Sequence, residues 1–86
     1  MLRLLEKFGA QGAFNPEEVS VLVDAFDAAW YEVQRSGVRF GSDKQRELAR
    51  NTLGKYIIEQ AKTGERDRRR LREGAVLYYA KTARRR

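Results

Sequence analysis

Three helix-boundary signatures, set a helix length apart, constrain this chain more than any other feature. At the first, Asn15 stands as an N-cap, Pro16 fits the first helical position, and Glu18 falls where a capping box places an acid. Phe14 and Val19 on either side of that cap form the pair expected of a hydrophobic staple, and Glu17 and Glu18 face the positive end of the helix dipole. Gly37 takes the C′ position that ends the segment. At the second signature Ser42 caps, Gln45 completes an S-x-x-Q box, and Gly64 is again a C′ residue. Asp67 caps a third segment. Between these marks no stretch alternates with period two, which argues against strands.

The apolar residues recur at helical spacing. At about 100° per residue, Val19, Leu22, Val23, Phe26, Ala29, Trp30 and Val33 fall within roughly 120° of arc. Leu48, Ala49, Thr52, Leu53, Tyr56, Ile57, Gln60 and Ala61 spread over about 220°, so the second helix buries more of its circumference. Leu71, Gly74, Ala75, Tyr78, Tyr79 and Thr82 mark the third, where Gly74 costs about 1 kcal/mol against Ala unless a neighbouring helix needs a close approach. Helices are therefore expected at about 16–36, 43–63 and 68–83. Short connections make sequential helices antiparallel neighbours, which gives an all-α three-helix up-down-up bundle with Phe40 turned inward over the helix ends. Ahead of it, Leu2, Leu4, Leu5 and Phe8 read as a short helical arm, and Gly9 to Ala13 as a flexible link. The division is thus an arm and link over 1–13, a helical domain over 14–83, and a basic tail over 84–86. No apolar run approaches the ~18 residues of a membrane span, and Glu6 and Lys7 interrupt the arm as a secretory segment.

Charge is distributed unevenly. Among 86 residues, 18 Lys and Arg stand against 12 Asp and Glu, for a net +6. Through Ala61 the chain is nearly neutral, so the excess belongs to the last third. The candidates for an anionic partner are Arg66, Arg68, Arg69, Arg70, Arg72, Lys81, Arg84, Arg85 and Arg86, and such a cluster suits phosphate, an anionic membrane or an acidic protein. Glu65, Asp67 and Glu73 interleave with them, and a solvated helix face with a frayed tail is the plainer alternative. Arginines in the first turn oppose their own helix dipole, which points to a partner or to carboxylates elsewhere in the fold. The loop Arg39-Phe-Gly-Ser42, with Lys44, offers a second place for an anion, although it lacks P-loop spacing and serves equally as turn and cap. The helices are too long for a helix-turn-helix reader, and their aromatics point inward.

Some apolar residues fall outside the stripes. Val21, Ala25 and Ala28 line a second face of the first long helix, Ile58 lies opposite the main stripe of the second, and Val76 and Leu77 lie off that of the third. Either the N-terminal arm covers such a face or another chain does, so these six are the candidate apolar interface. Phe26, Trp30, Tyr56, Tyr78 and Tyr79 are expected in the core.

Catalytic chemistry finds little to work with. The sequence has no His and no Cys, so Ser20, Ser36 and Ser42 lack the commonest activating base and no thiolate site or disulfide forms. Asp24 and Asp27, one turn apart, cannot alone hold a metal firmly. No catalytic, cofactor, metal or small-molecule site is expected, and the absence of cysteine suits a reducing cytoplasm.

The segments Ala25-Phe-Asp-Ala-Ala-Trp30, Ser36-Gly-Val-Arg-Phe40, Ala49-Arg50, Tyr56-Ile-Ile58, Gly64-Glu-Arg-Asp67 and Leu71-Arg-Glu-Gly-Ala75 resemble a group of small uncharacterised bacterial helical proteins. The resemblance runs from Phe14 onward and rests on caps, turns and core positions. It implies a bacterial cytoplasmic origin and carries over no functional residue. The expected function is that of a small non-enzymatic interaction module, with homodimerisation as one route. The alternative is a nucleic-acid-binding protein without sequence specificity that uses the basic C-terminal third.

Overall fold

The long helices start where the cap residues place them in the protein's structure, a computed structural model that describes residues 1–84. Four helices form among the described residues: α1 (Leu2–Lys7), α2 (Pro16–Arg35), α3 (Asp43–Lys62) and α4 (Arg68–Arg84). No strand occurs among the described residues. At the start of α2 the capping box is complete: the Glu18 N–H donates to Asn15 Oδ1 at 2.8 Å and the Asn15 N–H donates to Glu18 Oε1 at 2.9 Å. At α3 the Gln45 N–H donates to Ser42 Oγ at 3.2 Å, but the box is not closed: Gln45 Oε1 reaches one residue further back and accepts from the Gly41 N–H at 2.7 Å. Asp67 Oδ1 accepts from the Arg70 N–H at 3.0 Å and so caps α4. Gly37 and Gly64 end α2 and α3 with φ of 87° and 108°, a region that β-carbon-bearing residues avoid.

The core is one cluster. Leu22, Phe26, Ala29 and Val33 from α2 meet Leu53, Ile57 and Ala61 from α3 and Leu71 and Ala75 from α4, all fully buried. The described residues bury no polar or charged side chain. Where the sequence left a choice between the arm and a second chain, the arm occupies the site. Leu4, Leu5 and Ala10 are buried in the same cluster, and α1 packs against α3. The seat for Leu4 is Gly54: a β-carbon there would collide with Leu4 Cδ1 and sit 3.3 Å from Leu4 Cγ. Ile58, one turn further along that face, is 1% exposed.

Two candidate interface residues are therefore corrected. Ile58 belongs to the core, on the face of α3 that receives the arm. Ala25 is also 1% exposed, because α4 packs on the second face of α2. Asp24, Ala28 and Glu32 lie on one line of α2, and its two acids reach Arg68 and Arg72 of α4, which places half-buried Ala28 within that seam. Val21 and Val76 are half-buried and packed against the core. Of the six, only Leu77 stands well exposed, at 62%.

Gly74 proves to be a contact glycine, since a β-carbon there would lie 2.8 Å from Tyr56 Cζ and closer still to its hydroxyl. The Tyr56 ring also stacks on Tyr78, with centroids 5.5 Å apart. Tyr78 is nevertheless half-exposed, against the expectation of a core position: its place on α4 lets one part of the ring meet Tyr56 while the rest faces water. Phe40 packs on the core as a plug and stacks on Trp30 at 5.5 Å.

Candidate interaction surfaces

The basic run of α4 meets carboxylates at nearly every step. Arg66, just before α4, donates from Nε and Nη2 to Glu18 Oε2 at 2.8 and 2.6 Å. Its Nη1 donates to the carbonyls of Ala61 and Glu65 at 2.6 and 2.8 Å, and its guanidinium lies 5.2 Å from the Phe14 ring centroid. One side chain thus ties the start of α2 to the end of α3 and the loop before α4. The hydrogen bonds that Glu18 accepts, first that from the Asn15 N–H and then those from Arg66, hold its carboxyl below the usual glutamate range.

Along the α2 side, Arg68 Nε donates to Asp24 Oδ2 at 2.9 Å, and Arg72 Nε lies 3.4 Å from Glu32 Oε1. That Arg72 atom is shielded from water and makes no hydrogen bond, so its pairing with Glu32 is purely electrostatic. Within α4, Arg69 Nε donates to Glu73 Oε1 at 3.0 Å, and Arg70 stands 3.9 Å from Glu65 in the loop before the helix. These last two arginines are about three-quarters exposed, where such pairs are weak. The Asp67 carboxyl is lowered chiefly by the Arg70 N–H it accepts. The unfavourable meeting of arginines with the α4 dipole is thereby offset by Asp24 and Glu32 from another helix and by Glu65 and Glu73 nearby.

Of the nine basic candidates, the first five are engaged in this way. Lys81 is exposed, with no ion pair among the described residues. Arg85, Arg86 and the side chain of Arg84 lie outside the described residues. Among the described residues no group of three or more acidic, His or Cys side chains is placed to hold a metal, and no helix is long and apolar enough to cross a membrane.

A second basic surface lies where α2 and α3 meet. The Arg50 guanidinium sits 5.5 Å from the Phe26 centroid and 5.6 Å from that of Trp30. Arg39 and Arg46 join Arg50, Trp30 and Phe40 around one open hollow, and no carboxylate lines it. Arg46 has an exposed partner in Asp43 at 3.3 Å; Arg39 and Arg50 have no ion pair among the described residues. Of this corner the sequence points to Arg39 in the α2–α3 loop and Lys44 at the start of α3, and not to Arg46 and Arg50. Their one-turn spacing on α3 was the available signal, and only the packing of α3 beside Trp30 gives it meaning.

Beside the hollow runs a cleft of about 190 Å³ between the start of α3 and the end of α4, lined by Leu48, Thr52, Tyr79, Thr82 and Ala83. Val38, Arg39 and Phe40 border both depressions. Comparison with protein-family models, with curated proteins and with solved structures finds no match for this chain.

Proposed function

We propose that this protein is a small, non-enzymatic helical interaction module. The observation that carries the reading is a set of exposed apolar side chains: Leu48 of α3 and Leu77 and Tyr78 of α4 face solvent, as do Tyr31 of α2 and Leu2 of the arm, whereas the arm and α4 cover Ile58 and Ala25. A catalytic role has little support, because catalytic groups rely on desolvation and no charged side chain among the described residues is buried. Binding of nucleic acid through the C-terminal third is the weaker alternative, since Arg66 and Arg72 are held at Glu18 and Glu32, and the carboxylates beside Arg68, Arg69 and Arg70 lower the net charge that the run presents.

We also infer that α2, α3 and α4 run up, down and up. In its support, Arg66, Arg68 and Arg72 meet Glu18, Asp24 and Glu32 in ascending order, as parallel neighbours would. Tyr56 meets Gly74, while Leu48 and Thr52 lie beside Thr82 and Ala83, as antiparallel neighbours would. A reducing, cytoplasmic setting accords with the cysteine-free sequence.

Affinity purification from the native cell, with and without nuclease, tests the module reading. The expected result is a protein partner recovered in both samples by the natural chain and lost with the variant L48E/L77E. Recovery that disappears on nuclease treatment would overturn it in favour of nucleic acid.

A further inference from the structure

We propose that the α2–α3 corner and the adjoining cleft form one docking site for an acidic peptide segment that carries an apolar anchor residue. The inference rests on the interaction-module reading and gives it a location and a partner chemistry.

Four observations converge there. Arg39, Arg46 and Arg50 line a hollow that no carboxylate enters, in contrast to the arginines of α4, so the site presents positive charge without an internal counter-ion except Asp43 on Arg46. Both members of that pair are well exposed, and so weak a contact is readily exchanged for a partner's carboxylate. Arg50 is held against Phe26 and Trp30, which removes part of the side-chain entropy that binding would otherwise have to overcome. The cleft beside it, with Val38 and Phe40 on the shared border and Leu48 and Tyr79 beyond, offers an apolar seat next to the arginines. A guanidinium fork recognises a carboxylate as readily as a phosphate, and here the surroundings decide. Trp30 already stacks on Phe40 and carries Arg50, so it has little ring surface left for a nucleobase. A chain with acids on one side and an aliphatic or aromatic side chain on the other matches both depressions.

The test uses the full chain and the fluorescence of Trp30, the only tryptophan in the sequence. The probes are a short peptide of glutamates flanking paired leucines, the same peptide with lysine for glutamate, and a single-stranded DNA oligonucleotide. The expected result is a saturable change with the glutamate peptide alone, weakened by salt and at least about tenfold by R39E/R46E, and unaltered by L77E. Arg39 and Arg46 are exposed, and melting curves verify that the variant folds. A flat titration, equal binding by R39E/R46E, or tighter arginine-dependent binding of the oligonucleotide would each overturn the site. Peptide binding that survives R39E/R46E but is lost in L77E overturns this site and leaves the module reading standing. A nuclease-sensitive result in the purification above strikes the module reading itself.

Discussion

The stretch from Arg66 to Arg72 and the α2–α3 corner are both arginine-rich, yet their charges do different things. In the first, each arginine lies within ion-pair distance of a carboxylate, and three of those carboxylates belong to α2. In the second, Arg39 and Arg50 have aromatic or open surroundings and no acid among the described residues within that distance. The denser run is thus the more nearly neutralised surface. A count along the chain records charge; only the fold decides how much of it remains to act on anything outside.

The largest effect should come from removing what seats α4 against its acidic partners. Leu71 is fully buried, so Leu71→Ala is expected to lower stability by about 2–5 kcal/mol in chemical denaturation, with a cavity contribution to the loss. If α4 instead holds its place chiefly through charge, the loss will be small and will vary with salt.

Next comes the direct contrast of one arginine from each region. Arg66→Met removes a guanidinium with four hydrogen bonds and leaves Glu18 without its partner, an expected loss of about 1–2 kcal/mol given the partial exposure of the pair. Arg39→Met, at an exposed position without an ion pair among the described residues, should stay within about 0.5 kcal/mol. Equal losses at the two sites would erase the distinction.

The smallest effect is on pH dependence. Glu18 is lowered in the folded chain, so its contribution is complete above the ordinary glutamate range and is lost as pH falls through that range toward the lowered folded value. Asp67 is lowered as well and adds a decline in the same direction. Urea midpoints taken from neutral to acid pH should fall, and Glu18→Gln should flatten part of that slope. Arg39→Met should leave the slope as it was.

Much of the fold was legible because its determinants are local. Asn15, Ser42, Asp67, Gly37 and Gly64 act on backbone groups within a few residues, and every long helix begins or ends within a residue of where they place it. The role of Gly74 was legible in outline, since a glycine within a helix asks for a close neighbour; that the neighbour is the Tyr56 ring was not. Gly54, also within a helix, carried the same signal, but that its neighbour is Leu4, fifty positions away, was not legible. For the same reason Ala25 and Ile58 read as uncovered when α4 and the arm bury them. The candidate site fared worse than the fold: the run that stood out holds pairs, and the corner, legible only at Arg39 and Lys44, holds open charge at Arg39 and Arg50.

By itself, then, the sequence determined the helices, their caps, the apolar stripes and the absence of histidine and cysteine chemistry, because these depend on spacing along one strand of chain. Tertiary structure decided which apolar faces remain exposed and which arginines remain unpaired. Covering a face or neutralising a guanidinium requires a partner brought from elsewhere in the chain, as Glu18, Asp24 and Glu32 are brought to Arg66, Arg68 and Arg72.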